Sequence, residues 1–168
     1  MSVAERRERF TDLLDDHKKI VYKVCNAYCA GREDRDDLAQ EIVTQLWRSF
    51  GTFDERLRFS TWMYRVALNV AISFSRRERS RARHLAPEGE ALLETRTADD
   101  MPSPEVLMLH RFIERLEPLE RALVLLYLDG YGYREIAGVL GISETNVGTK
   151  IGRLKQSIRR EFNAPETA

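Results

Sequence analysis

The chain has 168 residues, 43% of them hydrophobic and 32% charged, which suits one or two small globular domains and excludes a membrane protein. Its 27 basic residues balance 27 acidic ones, so a nucleic-acid partner can be indicated only by where the charges lie. No run approaches the roughly 18 apolar residues of a membrane span, and the start MSVAERRERF lacks the apolar run of a signal peptide; we therefore expect a cytoplasmic protein without direct membrane insertion.

The first two predicted elements are amphipathic helices. Apolar residues repeat every three or four positions over residues 10–28 and again over residues 38–50, and a glycine follows each run closely. Cys25 and Cys29 stand four apart on the first helix without a nearby His or a second Cys pair. This spacing favours reduced thiols in the core over a disulfide or a metal site.

A third helix is expected after Ser60 or Thr61, either of which could cap its first amides. Its apolar stripe leaves a second face that combines an aromatic side chain, an amide and two cations. The stripe is Met63, Val66, Ala67, Val70 and Phe74, and the second face is Trp62, Arg65, Asn69 and Arg76. An exposed aromatic stacks on bases only where DNA strands have separated, where it contributes about 1–3 kcal/mol. The alternative is that Trp62 and Tyr64 are partly buried and the arginines are simply solvated.

Charge changes sign after this helix. Residues 65–83 hold six arginines and one acid, whereas residues 88–105 hold six acids and one arginine, together with two prolines and a glycine. The acidic stretch has no sustained apolar period and is typical of a flexible tether. We therefore predict a first domain at 1–83, a linker at 84–104 and a second domain at 105–168.

The second domain is predicted to end in a helix-turn-helix. After a stripe of Val106, Leu109, Ile113 and Leu116, Pro118 suits the first turn of another helix. A short helix over residues 133–140, a turn at Gly141 and a longer helix capped by Ser143 follow. The buried stripe of the longer helix is Val147, Ile151, Leu154, Ile158 and Phe162. Its opposite face is Thr145, Thr149, Arg153, Gln156 and Arg160, flanked by Asn146 and Lys150. We expect an all-α protein with two small helical domains, and a DNA-binding surface on the last helix.

Three segments in this order resemble the sigma-70 family of bacterial RNA polymerase sigma factors, in its extracytoplasmic function (ECF) class. DRDDLAQEIVTQLW resembles the helix that binds core polymerase, and FSTWMYRVALNVAISFSRR resembles the helix that recognises and melts the minus-ten element. The segment from LEPLERALVLL to TKIGRLK resembles the domain that binds the minus-thirty-five element. The resemblance covers nearly the whole chain and implies a transcription initiation factor, not an enzyme, with no metal or cofactor.

The resemblance also implies partners and site residues. Core RNA polymerase is expected to bind through the clamp coiled coil of its largest subunit and through its flap, and an anti-sigma factor is expected to inhibit the protein. The helix that docks on the coiled coil would contribute Asp37, Leu38, Gln40, Glu41 and Trp47. The minus-ten strand would contact Phe53, Asp54, Arg58, Phe59, Trp62, Arg65, Asn69, Arg76 and Arg77. The minus-thirty-five duplex would contact Thr145, Asn146, Thr149, Lys150 and Arg153. The acidic linker would occupy polymerase channels from which the RNA transcript displaces it.

One departure from the family pattern and two alternative functions stay open. Gly148 and Gly152 stand where many relatives carry a basic residue or His, and each costs a helix interior about 1 kcal/mol relative to Ala. A stand-alone helix-turn-helix regulator would bind duplex DNA without polymerase. A metal-dependent nucleic-acid enzyme would use the acids that precede the docking helix and begin it, which are Glu33, Asp34, Asp36, Asp37 and Glu41. Helix capping and the helix dipole are the simpler explanation of those acids.

Overall fold

The computed structural model describes residues 1–84 and 102–164, and within them it contains seven α-helices and no strand. In chain order the helices are α1 (Val3–Tyr28), α2 (Arg32–Ser49), α3 (Phe59–His84), α4 (Pro104–Glu114), α5 (Pro118–Leu128), α6 (Tyr133–Leu140) and α7 (Glu144–Phe162). The chain divides into two compact units between Met101 and Pro102, so the prediction of an all-α protein with two helical domains is confirmed. The acidic part of the predicted linker, residues 85–101, lies outside the described residues.

Unit 1 is a bundle of α1, α2 and α3, in which each helix packs against the other two. From α2, Leu38, Ile42 and Leu46 point into the bundle and have no exposed surface. The opposing residues of α3 are Met63, Tyr64, Ala67, Leu68 and Ala71, all fully buried. The small alanines let α3 approach its neighbours closely, and a 3-10 turn at Phe50–Thr52 ends α2 beneath the loop that leads to α3.

The predicted start of α3 is wrong, because the helix begins at Phe59. The amide of Trp62 donates to the carbonyl of Arg58 (3.2 Å), so Ser60 and Thr61 already lie in the first turn and cap nothing. Phe59 is 7% exposed and packs among other aromatic rings, which holds it inside the helix. Tertiary packing has thus overridden the local preference for a Ser or Thr cap.

Both thiols of unit 1 are buried and free. Burial raises the pKa of Cys25 to about 11 and that of Cys29 to about 12. The thiolate is the reactive form, so both side chains remain protonated and behave as small apolar groups at neutral pH.

Unit 2 contains α4 to α7. Ser103 caps α4 by accepting from the amide of Val106 (3.3 Å), and Pro104 and Pro118 occupy the first turns of α4 and α5. The predicted stripe of α4 is wrong at its start, because Val106 is 42% exposed. The helix instead buries Phe112 beside Ile113, which moves its core-facing side away from Val106.

The helix-turn-helix of unit 2 is built from α6 and α7. Gly141 has the left-handed conformation that the turn requires (φ 69°), and Ser143 caps α7 by accepting from the amide of Asn146 (3.1 Å). Of the predicted stripe of α7, Val147, Ile151 and Leu154 are buried. Phe162 at its end is 40% exposed, so the predicted stripe is wrong at this position.

Candidate polymerase and nucleic-acid interfaces

An aromatic cluster, defined as Phe50, Phe53, Phe59 and Trp62, joins the loop after α2 to the start of α3. The ring centroids of Phe53, Phe59 and Trp62 lie 5.2–5.4 Å from one another, at the edge-to-face and tilted angles that aromatic pairs prefer. Phe50 and Phe59 are buried, whereas Phe53 and Trp62 are half-buried. Phe53 and Trp62 therefore present ring surface to a ligand, and Phe59 supports them from beneath.

A groove beside this cluster brings together five of the nine residues predicted for the minus-ten strand. Its walls come from the loop, α2 and α3, and they include Asp54, Trp62, Arg65, Asn69 and Arg77. Arg58 and Arg76 are exposed but lie outside this lining. The lining also contains Leu57, a loop residue that is 60% exposed and that the sequence did not single out, since no periodicity applies in a loop.

Asp54 is held by the loop itself. Its carboxylate accepts from Nε of Arg56 (3.0 Å), from Nη2 of Arg56 (2.9 Å) and from the backbone amide of Arg56 (3.0 Å). These hydrogen bonds hold the pKa of Asp54 below its usual value. The groove therefore carries an ionised carboxylate in a defined orientation at neutral pH, able to accept a hydrogen bond from a base.

The predicted docking residues of α2 divide between surface and core. Asp37, Gln40 and Glu41 line a second groove, between α2 and the later turns of α3. Leu38 is fully buried and supports the helix from inside the bundle. Trp47 is half-buried on the side of α2 that faces α1, where its ring lies 5.2 Å from that of Phe10.

One ion pair joins the two grooves. Nη2 of Arg77 lies 2.7 Å from Oε2 of Glu41, and both side chains line both grooves. The guanidinium of Arg77 also lies 5.8 Å from the ring centroid of Phe74. The sequence predicted Glu41 for polymerase and Arg77 for DNA, and the structure pairs the two predicted surfaces through these residues.

In unit 2 the polar face of α7 is exposed as predicted. Thr145, Asn146, Thr149 and Arg153 are exposed and Lys150 is half-buried. The hydroxyl of Thr149 donates to the carbonyl of Thr145 (3.0 Å). Lys150 and Arg153 border a small hollow against α4 and α5, which also contains Glu120. Sequence periodicity could not indicate this acid, because it lies on a different helix from the two cations.

The two glycines of α7 are not required by packing. A methyl group added at Gly148 would lie 3.6 Å from Cε2 of Tyr133, an ordinary contact, and one added at Gly152 would meet nothing within 4 Å. Beside them, Nζ of Lys155 lies 4.6 Å from the ring centroid of Tyr127, and hydrogen bonding to Tyr127 raises the pKa of Lys155. This lysine is therefore tied to α5, a role that the sequence did not predict.

Neither a metal group nor a membrane span is found in the part of the chain that the structure describes. No three His, Cys, Asp or Glu side chains of those residues are placed to hold a metal ion. No helix among them is long and apolar enough to cross a membrane.

Sequence comparison assigns each unit to a known domain. The sequence model for Sigma-70 region 2 matches residues 13–81, and that for Sigma-70, region 4 matches residues 107–158. The ECF RNA polymerase sigma-E factor of Escherichia coli is 31% identical over 137 residues, which cover 74% of this chain and 72% of that protein. The chain belongs to the ECF class of the sigma-70 family.

Further relatives extend the match along this sigma factor. The ECF RNA polymerase sigma factor SigW of Bacillus subtilis is 26% identical, over 93% of this chain and 90% of its own length. The fold is similar to that of the sigma factor RpoE, solved in complex with the anti-sigma factor NepR from Bartonella quintana. The TM-score is 0.68 at 14% identity, with 98% of this chain and 100% of that one covered.

The family decides between the functions that the sequence left open. The protein is a transcription initiation factor that acts with RNA polymerase, and not a stand-alone helix-turn-helix regulator. Sigma factors are non-enzymatic transcription initiation factors.

Proposed function

We propose that this sigma factor docks on core RNA polymerase through α2, captures the separated minus-ten strand in the groove beside the aromatic cluster, and reads minus-thirty-five duplex DNA through α7. Residues 1–83 would form the first functional domain, 84–104 the linker and 105–168 the second domain. The observation that carries the proposal is the groove of unit 1, where loop and helix residues with complementary chemistry meet.

The groove has the chemistry that a single strand requires. Trp62 offers a partly exposed ring on which a base can stack, and Arg65 and Arg77 supply positive charge for the backbone. Asn69 and the oriented carboxylate of Asp54 can form hydrogen bonds with base edges. A duplex hides its base faces, so this combination is useful only on separated strands. A base extruded from the stack could lodge between the loop and α3.

The docking surface is the acidic rim of α2. Asp37 and Glu41 face a groove rather than the bundle, and Gln40 lies between them along the helix. Such a rim suits a basic partner helix, and complementary charges would speed and orient the encounter. We infer that this partner is the clamp coiled coil of the largest polymerase subunit, as the family resemblance implies.

Unit 2 would read the minus-thirty-five duplex by placing α7 in the major groove. Exposed Thr145, Asn146 and Thr149 can reach base edges near the start of the helix, while Lys150 and Arg153 can contact phosphate or guanine. The flap of polymerase is the second docking partner that we propose.

We further propose that an anti-sigma factor binds this chain, by analogy with the RpoE–NepR complex. Because RNA polymerase is its partner, the protein would act in the cytoplasm. The acids of the linker would share the sign of the RNA backbone, so a growing transcript would displace the linker from the polymerase channel.

Initiation by reconstituted polymerase tests this function. Core enzyme with the purified chain is expected to start transcription at a promoter selected from a random DNA library, whereas core enzyme alone should not. Asp37→Arg reverses one charge of the docking rim and should abolish both co-elution with core and transcription. Asp16→Arg makes the same change at an exposed position on α1 and should leave both intact. Equal loss in the two variants, or in neither, would contradict docking through α2.

A further inference from the structure

The first turns of α1 lie before residue 13, where the match to Sigma-70 region 2 begins. Those turns nevertheless contact the segment that leads from α2 into the loop. Phe10 packs edge-to-face against Trp47 and against Phe50, with both centroid distances 5.2 Å. The chain thus places residues outside the matched family domain directly against the base of the loop that carries Phe53 and Asp54.

Arg6 fills the space at the end of α2. Its guanidinium carbon lies 5.0 Å from the ring centroid of Trp47, and its Nη2 donates to the Trp47 carbonyl at 3.5 Å. A cation at this position is favoured by the negative end of the helix dipole. A Cβ at Gly51 would lie 3.2 Å from the same Nη2, so the guanidinium occupies the space above this glycine. The Nε atom of Arg6 is buried without a hydrogen-bond partner, so the side chain is held by its ring contact with Trp47 and by the hydrogen bond from Nη2.

Arg9 contacts the loop itself, through an ion pair between its Nη1 and Oε1 of Glu55. Glu55 follows Asp54 directly, and the Asp54 carboxylate is in turn held by Arg56. Farther along α1, the ring of His17 lies 5.1 Å from that of Phe59, at the other end of the loop. The loop is therefore fixed to α1 at its start, its middle and its end.

We propose that Arg6 and Arg9 are positioning residues that hold the loop in the conformation that captures the minus-ten strand. This inference rests on the proposed function. A loop fixed before binding loses less conformational freedom when the strand arrives, so its contacts translate into affinity. Neither arginine lines the groove, and both act through the loop: Arg6 through Trp47 and Gly51, and Arg9 through Glu55.

Substitution of Glu55 tests whether the loop is positioned by Arg9 or whether only the net charge near the DNA matters. These two explanations predict opposite changes in affinity for the strand. If Arg9 positions the loop through Glu55, Glu55→Gln should weaken binding of the strand. If only the net charge near the DNA matters, removing an anion should strengthen binding. Glu8→Gln removes the same charge from the exposed side of α1 without touching the loop and serves as the matched control.

Holoenzyme made with each full-length variant would be titrated against a fluorescent single strand, which carries the minus-ten sequence of a promoter selected by the unmodified holoenzyme. The dissociation constant should rise about twofold to fivefold for Glu55→Gln, the range of a partly exposed ion pair, and should not rise for Glu8→Gln. Affinity for core polymerase and for the minus-thirty-five duplex should not change. The inference would be overturned if the Glu55→Gln holoenzyme bound the strand as tightly as the unmodified holoenzyme, or more tightly.

A double-mutant cycle tests the pair itself. Arg9→Gln should weaken strand binding, and adding Glu55→Gln should then cost little more, because the interaction is already lost. If the loss of affinity in the double variant equals the product of the two single losses, Arg9 does not act through Glu55.

A conservative substitution tests Arg6. Arg6→Lys keeps the charge but not the flat guanidinium, and it should also weaken strand binding, whereas Arg7→Lys on the exposed side should not. Equal binding by the Arg6→Lys and Arg7→Lys proteins would contradict the role of Arg6. Failure of the unmodified holoenzyme to bind the strand would instead contradict the proposed function.

Discussion

The two proposed DNA surfaces of this sigma factor are built in different ways. In unit 2 the surface is one face of one helix, and the core lies on the opposite face of the same helix. In unit 1 the surface combines a loop with α2 and α3, and the half-buried rings of Phe53 and Trp62 pack against the buried ring of Phe59. Under this proposal a residue of unit 1 can serve both stability and binding, whereas the exposed residues of α7 would serve binding alone.

This difference explains which site residues periodicity could locate. The exposed face of α7 could be located because each residue of a helix is rotated by about 100° from the one before it. Once the buried stripe is known, this rotation determines which residues lie on the opposite face. The surface of unit 1 depends on contacts between residues far apart in sequence, such as Glu41 with Arg77. We expect substitutions in unit 1 to change both stability and binding, and substitutions on the exposed face of α7 to change binding alone. The predictions below run from the largest expected effect to the smallest.

The largest effect is expected for Phe59→Ala. Its buried ring touches Phe53 and Trp62, so removing it should lower the free energy of unfolding of unit 1 by about 3–5 kcal/mol. Both tryptophans of the chain lie in unit 1, so urea unfolding followed by tryptophan fluorescence reports this unit. Transcription should fall equally on paired and on pre-melted promoters. A stable Phe59→Ala protein with a defect on paired DNA alone would make Phe59 a DNA contact instead.

Trp62→Ala should separate binding from stability within the same cluster. Loss of a stacked base costs about 1–3 kcal/mol, or roughly fivefold to more than a hundredfold in promoter opening. Abortive transcription from a paired promoter should fall by that factor, and a template with a pre-melted bubble should recover most of the activity. Trp62→Phe keeps an aromatic surface and should retain more activity than Trp62→Ala. Equal losses of the Ala variant on both templates would assign the ring to the core.

In unit 2, Arg153→Ala should change binding without changing stability. The side chain is exposed, so calorimetric unfolding should match that of the unmodified protein. Affinity of the full chain for a minus-thirty-five duplex should drop by about 1–3 kcal/mol if the arginine contacts a guanine. A phosphate contact would instead reduce the salt dependence of binding by about one unit of slope. A destabilised variant would show that α7, like α3, uses its binding residues for folding.

The smallest effect is expected at the glycines of α7. An added methyl group has room at both Gly148 and Gly152, so each change to Ala should stabilise unit 2 by about 1 kcal/mol, measured by calorimetry. Gly138 on α6 also has open space around it and serves as a control outside the proposed recognition helix. Unchanged DNA affinity in all three variants would indicate that the glycines are merely tolerated. A loss confined to the α7 variants would indicate that the backbone approaches DNA there.

By itself the sequence determined the secondary structure class, the helix-turn-helix with its Gly141 turn and Ser143 cap, and the family. The structural features among these are local, because a helix period, a left-handed turn and a cap each depend on residues within about four positions of one another. For the same reason the exposed face of α7 was predictable. The start of α3 was not, since burial of Phe59 outweighed the nearby Ser and Thr.

Only the tertiary structure decided which candidate residues reach a surface. Leu38 and Phe59 are in the core, while Asp37 and Trp62 can meet a partner, although the same helical patterns contain all four. Packing also brought Arg6 and Arg9 to the loop across more than forty residues of sequence. Such contacts depend on how α1, α2 and α3 assemble, and the periodicity of one helix contains no information about which residue of another helix will face it.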